Sequence, residues 1–469
     1  MLKVRGERDQ VNVAKMWEAG QSHVFRFWDT LDDAQRRALL DQIDEIDLQL
    51  LAELTARIGE APALRPLAPP RDVIRLPAAG ACPPDREAAR VAGEHAIATG
   101  KVAGLIVAGG QGSRLGFERP KGCFPIGPVT GRSLLQIFFE QARAVAERHR
   151  SSFPLYVMTS RRNHEQVRTF LVENEWFGMS PVEVVLFEQR ELPVVDERGR
   201  LLLAEPWRIA TSPDGHGGVI RALAESGALE DMARRGIELI SYWQVDNPLV
   251  PVADPVFLGY LLERGDEAGA KVATKRAPEE RVGVWAEIEG RLGVVEYSEL
   301  RPQDAEARDE SGSLRYRWAN LAIHAFRRSF LERMAADPRL PFHLARKRVP
   351  HIDREGRLQR PEQPNGIKFE TFIFDAIAQA DGVTLLEVER AREFAPVKNA
   401  SGEDSPETAR RALTELYGRW LEAAGLAVPR DAEGRVSVPI EISPLTALGP
   451  DDLEGKPVSE IEFGSPVVL

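Results

Sequence analysis

Four glycines crowd the stretch Ala108-Gly109-Gly110-Gln111-Gly112-Ser113-Arg114-Leu115-Gly116, and Pro120-Lys121 follows it closely. Glycine lets backbone N–H groups approach a phosphate or a base without side-chain interference. No Gly-Lys-Ser/Thr closes the stretch, so it is not a P-loop. Leu115 stands where a dinucleotide fingerprint needs a third glycine or alanine. Glycines alone also make a plain turn. Arg114 and Lys121 add what a turn does not need, two cations beside a loop where a polyphosphate would build up charge. Further along, Val245-Asp246-Asn247 closes an apolar run. A carboxylate there either caps the chain or binds something, and Mg²⁺ is its natural partner when the substrates are polyphosphates. Gln189 offers a donor and an acceptor, as reading a nucleobase edge requires. Pro213-Asp214-Gly215-His216-Gly217-Gly218 is a second glycine turn opening a helix, whose N–H groups suit an anion. Glu296 can accept hydrogen bonds from sugar hydroxyls.

The elements that must hold these residues read as strands alternating with helices. Val102–Ala108, Leu155–Thr159, Val182–Phe187 and Ile237–Val245 are strand-like apolar runs. Helical stretches at Ser133–Arg148, Glu165–Glu173 and Val219–Arg235 separate them. This pattern predicts an α/β domain with a mixed, mainly parallel sheet. Ligands bind such sheets at the carboxyl ends of strands, which singles out the loops after residues 108, 187 and 245. Residues 1–60 read as helical, with Thr30 as an N-cap and Asp33 in the first turn. Leu39, Ile43, Ile46, Leu50 and Leu54 then form one apolar stripe. Residues 61–84 are proline-rich and read as a linker. The expected division is 1–98 (helical region and linker), 99–400 (catalytic domain) and 401–469 (a small α+β region). The last segment carries a helix over Glu407–Ala424 and a strand over Val436–Ile442 after a turn at Asp431–Arg435.

The formal net charge of −11 repels nucleic acid and anionic lipid, so neither is an expected partner. Cations must therefore be gathered locally if the ligands are phosphates. Cys82 and Cys123 are far apart and form no CxxC, so neither a disulfide framework nor a zinc site is expected, and a reducing cytoplasm fits. No signal peptide and no membrane span are read, and a monomer is expected.

The loop from Ala108 to Gly122 resembles the signature of sugar-nucleotide pyrophosphorylases. Its Gly-Gln-Gly version is similar to the eukaryotic-type UDP-N-acetylglucosamine pyrophosphorylases of the UDPGP type 1 family. Pro364–Asp375 and Glu393–Asn399 are two further matches, and the resemblance runs from about Gln21 to Leu445. It implies a GT-A-like, Rossmann-like nucleotidyltransferase fold that makes a UDP-sugar and pyrophosphate from UTP and a sugar 1-phosphate, with N-acetylglucosamine 1-phosphate as the sugar. Glucose or galactose 1-phosphate with the same chemistry is one alternative, and a non-catalytic UDP-sugar binding protein is another. By the resemblance, Ala108, Gly109, Gly110, Gln111, Gln189 and Gly215 hold the nucleotide. Arg114, Lys121 and Lys368 face the phosphates, and Asp246 holds Mg²⁺ or Mn²⁺ beside them. His216, Gly283, Glu296, Tyr297, Asn320, Phe372, Phe374 and Lys398 line the sugar phosphate site. Three positions depart from the family pattern. Glu188 replaces a glutamine, Arg190 a glycine, and His216 the usual asparagine, which bears on sugar preference.

Overall fold

Val102–Val107 contains no polar side chain, and a strand with two apolar faces is stable only in a sheet covered on both sides. The computed structural model describes residues 2, 4, 6–60, 66–77, 83–337, 340–456 and 461–469, so Cys82 and part of the expected 61–84 linker lie outside the described residues. The chain forms two compact units, each assembled from separated stretches. The first comprises Met1–Leu64, Gln189–Gly218 and Arg339–Ile373. The second comprises Arg65–Glu188, Val219–Pro338 and Phe374–Leu469.

The second unit is built on a sheet of ten strands among the described residues. They are β1 (Leu67–Ala68), β2 (Val102–Val107), β3 (Leu155–Ser160), β4 (Val184–Gln189), β5 (Leu239–Gln244), β6 (Ala268–Thr274), β7 (Val284–Ile288), β8 (Arg291–Val295), β9 (Trp318–Arg327) and β10 (Val383–Glu387). The order is β1-β7-β9-β5-β2-β3-β4, with β8 beside β7, β6 beside β9, and β10 beside β6. The pairs β5–β2, β2–β3 and β6–β10 are parallel. Around β9 the pairing is antiparallel, to β5, β6 and β7. The sheet is thus mixed, with β5, β2 and β3 parallel on one side of β9 and the parallel pair β6–β10 on the other. The antiparallel half begins with the β7–β8 hairpin, whose Glu289-Gly290 turn has φ of 52° and 83°. Two positive φ values match the hairpin twist and leave no room for a crossover.

The sequence 401–469 adds to this same core rather than forming one of its own. Ser405 caps the helix Pro406–Ala423 through the Thr408 N–H, and Leu413, Leu416, Tyr417 and Leu421 join the main cluster. Of the expected strand Val436–Ile442, Ile440–Glu441 pairs in parallel with Val467–Val468, and Val436 forms a single antiparallel bridge with Arg430. The Asp431–Arg435 turn forms as expected, closed by the Asp431 N–H on the Arg435 carbonyl at 2.8 Å.

In the first unit, residues of the N-terminal helices pack with Leu192, Val195, Leu201, Leu203, Ile209, Ile367 and Phe369 in one core. Residues 1–98 therefore do not stay together. The helices up to Ala56 belong here, while the helix Pro84–Ala98 belongs to the second unit. The N-cap is Asp32, not Thr30, because Asp32 makes a capping box with Gln35. The single apolar stripe is really two helices, Asp33–Asp44 and Leu48–Ala56, with Asp47 capping the second through the Leu50 N–H. An aspartate side chain that can satisfy a free N–H competes with helix continuation, which periodicity alone does not register. Gly227, at φ 77°, likewise splits the expected 219–235 helix into Val219–Glu225 and Ala228–Arg234.

Two helices of the second unit touch through glycine. A Cβ on Gly93, in Pro84–Ala98, would lie 1.9 Å from the Pro255 carbonyl oxygen, and one on Gly259, in Pro255–Arg264, 1.7 Å from the Ala89 carbonyl oxygen. Gly259→Ala should therefore destabilise the protein by about 1–3 kcal/mol or more despite its better helix propensity. Thermal unfolding of the variant checks this, and an unchanged midpoint would count against the backbone contact.

Candidate active site

Beyond β2 the chain cannot continue as a strand, and its polar groups need new partners. Ala108 N–H donates to the Met158 carbonyl at 2.7 Å. Asn163, fully buried, donates from Nδ2 to the Ala108 carbonyl at 2.9 Å and reaches the Gly110 carbonyl at 3.4 Å. Its Oδ1 accepts from the Ser160 N–H at 2.7 Å. The loop then closes on itself. Lys121 N–H donates to the Gly110 carbonyl at 3.1 Å and Gly112 N–H to the Arg119 carbonyl at 3.0 Å. A Cβ on Gly112 would meet the Phe117 and Arg119 carbonyl oxygens at 2.7 and 2.9 Å, so only glycine fits. Arg114 lies exposed on the one-turn helix Ser113–Leu115.

This closure delivers Lys121 to the end of β5. Its Nζ lies 3.2 Å from Asp246 Oδ2, and both residues are only 9% exposed. Burial would push the Asp246 carboxyl up, but Lys121, Lys398 and Arg114 outweigh it and hold the group below its ordinary value. The carboxylate therefore stays ionised at neutral pH. Asn247, beside it, organises the segment that carries Lys398. Its Nδ2 donates to the Glu393 carbonyl at 2.7 Å and its Oδ1 accepts from the Ala395 N–H at 3.0 Å. Val397 N–H donates to the Asp246 carbonyl at 2.8 Å. Lys121, Asp246 and Lys398 thus converge in the second unit. Among the described residues no group of three His, Cys, Asp or Glu side chains could hold a metal alone.

The other residues of the second unit gather at the β7–β8–β9 edge. Gly283 is buried, and a Cβ there would meet Val294 Cγ1 at 2.8 Å and Glu296 Oε1 at 3.0 Å. Asn320 N–H donates to the Gly283 carbonyl at 2.8 Å. Its Oδ1 accepts from the Ala322 N–H at 3.2 Å, and Ala322 sits at φ 55°. A non-glycine residue there is strained, and such strain concentrates at functional sites. Gly283, Glu296 and Asn320 are brought together. Tyr297 is 49% exposed past the end of β8, and Phe374 is buried.

Within the first unit, Gln189 donates from Nε2 to Asp214 Oδ1 at 3.0 Å and to the Gly215 carbonyl. Gly215 has φ 87°, and a Cβ would lie 2.2 Å from the Thr371 carbonyl oxygen. The turn is clamped by the Thr371 N–H on the Asp214 carbonyl (2.6 Å) and the Gly217 N–H on the Thr371 carbonyl (2.9 Å). His216 stacks on Phe372 with centroids 5.1 Å apart, and His343 lies 4.5 Å from the same ring. His216 Nδ1 accepts from the Ile373 N–H at 3.2 Å, so the neutral ring carries its proton on Nε2. Lys368 lies between buried Ile367 and Phe369 on the strand Gly366–Glu370, and strand alternation turns it to the opposite face.

Asn163 and His343 escaped the sequence reading, as did Asn247 in its organising role. The signal for Asn163 was present, since Ser160-Arg161-Arg162-Asn163 directly precedes a helix at a strand end. Asn163→Ala would leave the buried Ala108 carbonyl and the buried Ser160 N–H without this partner and should destabilise the fold by about 1–3 kcal/mol. Chemical denaturation of the variant measures this, and full retention of stability would mean the loop needs no such anchor.

The family model described as UTP--glucose-1-phosphate uridylyltransferase matches residues 75–404. The human "UDP-N-acetylhexosamine pyrophosphorylase-like protein 1" is 40% identical, over 97% of this chain and 96% of its own length. The Saccharomyces cerevisiae "UDP-N-acetylglucosamine pyrophosphorylase" is 36% identical, over 88% of this chain and 91% of its own. A crystal structure of the Trypanosoma brucei uridine diphosphate N-acetylglucosamine pyrophosphorylase, in complex with inhibitor, superposes with a TM-score of 0.83 at 27% identity, covering 100% of this chain and 99% of that one. No helix among the described residues is long and apolar enough to cross a membrane. With a glycine loop, a buried lysine–aspartate pair and a converging second lysine at its strand ends, the chain belongs to the UTP–glucose-1-phosphate uridylyltransferase family.

Proposed function

We propose that this chain transfers uridylate from UTP to N-acetylglucosamine 1-phosphate, releasing pyrophosphate. The observation that carries the reading is the ionised Asp246 held by Lys121, with Lys398 and Arg114 adding positive charge around it. The reaction joins two polyanions, and the protein's work is to bring them together and shield their repulsion. A sugar phosphate oxygen is already anionic near neutral pH, so it attacks the α-phosphorus of UTP without a general base. As the O–P bond forms, the bond to the bridging oxygen of pyrophosphate breaks, and the negative charge moves onto the leaving group. Arg114, Lys121 and Lys368 are the candidates to stabilise that charge, and Lys398 to hold the sugar phosphate. Gln189 would read the uracil edge, and the backbone from Ala108 to Gln111 with Gly215 would cradle the nucleotide.

Mg²⁺ or Mn²⁺ fits the donor set, because such ions are commonly held by one or two carboxylates plus substrate phosphates, and Asp246 is an ionised carboxylate at the right strand end. When bound, the ion would neutralise phosphate charge. The relatives' names favour an N-acetylated sugar. Asn320, Phe372 and Phe374 suit an acetamido group, offering an amide and aromatic surface, and Gly283 lets Val294 and Glu296 pack close to Asn320. His216 replaces the asparagine usual in the family, and its ring is fixed by the Ile373 N–H and by stacking on Phe372.

Pyrophosphate release with UTP and a panel of N-acetylglucosamine, N-acetylgalactosamine, glucose and galactose 1-phosphates tests the assignment. We expect the N-acetylated sugars to lead, and a preference for glucose or galactose 1-phosphate would overturn the sugar. Tight UDP-sugar binding without pyrophosphate exchange would overturn the enzyme reading. Arg114→Ala and Lys368→Ala should each lower turnover by roughly 10²–10³ while the protein stays folded. Near-normal turnover in either variant removes that residue from the mechanism.

A further inference from the structure

Lys271 lies in the middle of β6, in the run Ala268-Gly269-Ala270-Lys271-Val272-Ala273, and is fully buried. A lysine buried this completely needs charged partners. It has two. Nζ lies 2.6 Å from Asp254 Oδ2 and 2.7 Å from Glu393 Oε2. Asp254 is already fixed as the N-cap of the helix Pro255–Arg264, through the Val256 and Phe257 N–H groups. Glu393 is different. It ends the short helix Arg390–Glu393 and is followed at once by Phe394-Ala395-Pro396-Val397-Lys398. Its backbone carbonyl is the one that Asn247 holds, next to Asp246. The Phe394 ring that follows lies 5.8 Å from Lys398 Nζ and 4.9 Å from the Arg390 guanidinium.

We propose that the buried Lys271–Glu393 ion pair positions Lys398 for the sugar 1-phosphate. This rests on the reading of Lys398 as the sugar phosphate contact. Lys271 ties the Glu393 side chain to the middle of β6, while Asn247 ties the Glu393 backbone to the end of β5. With both held, the six residues from Glu393 to Lys398 have one path, and Lys398 Nζ is delivered beside Asp246. With the side-chain tie cut, the segment keeps only its backbone bonds, and Lys398 loses its fixed distance from the phosphate. A displacement of about 1 Å at such a contact costs on the order of 10²-fold in rate. Lys271 touches no substrate in this scheme. It acts through Glu393.

The test compares wild type, Lys398→Ala, Glu393→Ala, Glu393→Gln and the double variant Glu393→Ala/Lys398→Ala. KM is measured separately for the sugar 1-phosphate and for UTP. Glu393→Ala leaves the Lys271–Asp254 pair intact and so keeps the fold testable, and Lys271→Met is read beside it where it folds. Lys398→Ala and Glu393→Ala should both raise the KM for the sugar 1-phosphate about tenfold or more, with the KM for UTP within about twofold. Glu393→Gln, which still accepts from Lys271, should recover most of the loss. The double variant should be no worse than Lys398→Ala alone, because residues acting through one contact are not additive. A normal sugar 1-phosphate KM in Glu393→Ala, an equal loss for both substrates, or an additive double variant would overturn the proposal. If Lys398→Ala itself leaves the sugar 1-phosphate KM unchanged, the reading of Lys398 fails first, and that result is distinct.

Discussion

A carboxylate at the buried end of a strand is unstable unless cations hold it, and the Asp246–Lys121 contact is how this chain meets that constraint. The requirement runs in both directions. Lys121 is itself buried, and its charge is tolerable only beside Asp246. Everything around the pair serves to bring these two side chains, distant in sequence, to one place. The glycine loop turns back so that Lys121 N–H meets Gly110, and the β5 end is fixed by Val397 and Asn247. A protein with a net charge of −11 thereby keeps a local surplus of positive charge where polyphosphates would otherwise be repelled.

The parallel half of the sheet and its strand-end loops were legible in the sequence because short apolar runs alternating with helical patterns leave few architectures. Arg114, Lys121 and Asp246 were legible because charge beside glycine at a strand end has few uses. The break at Asp47 and the cap at Asp32 were not, because both depend on a side chain finding a particular N–H, which periodicity does not encode. Lys271 was hidden for a related reason. It is a charged residue buried by partners elsewhere in the sequence, and nothing in its neighbours names them. The 1–98 segment read as one region because helices followed by prolines look continuous. Its helices in fact divide between two cores.

The two glycine turns show how far geometry, rather than composition, sets function here. Gly112 and Gly215 are both required by backbone atoms that would collide with a Cβ. Gly116, at φ 69°, has open space and is required only for its conformation. The first kind of glycine fixes the distance between two chain segments. The second kind only lets the chain turn. His216 joins the first group in effect, because stacking on Phe372 and accepting from Ile373 N–H leave its ring one orientation and one tautomer.

The first unit draws its three stretches from 1–64, 189–218 and 339–373, and its core needs Ile367 and Phe369. During synthesis at about 5–20 residues per second, the N-terminal helices would wait tens of seconds before those partners leave the ribosome. Through that interval their apolar faces have no final cover. The growing chain is thus exposed to misassociation for most of its translation, and expression yield should respond to translation speed and chaperone supply more than to the final stability of either unit.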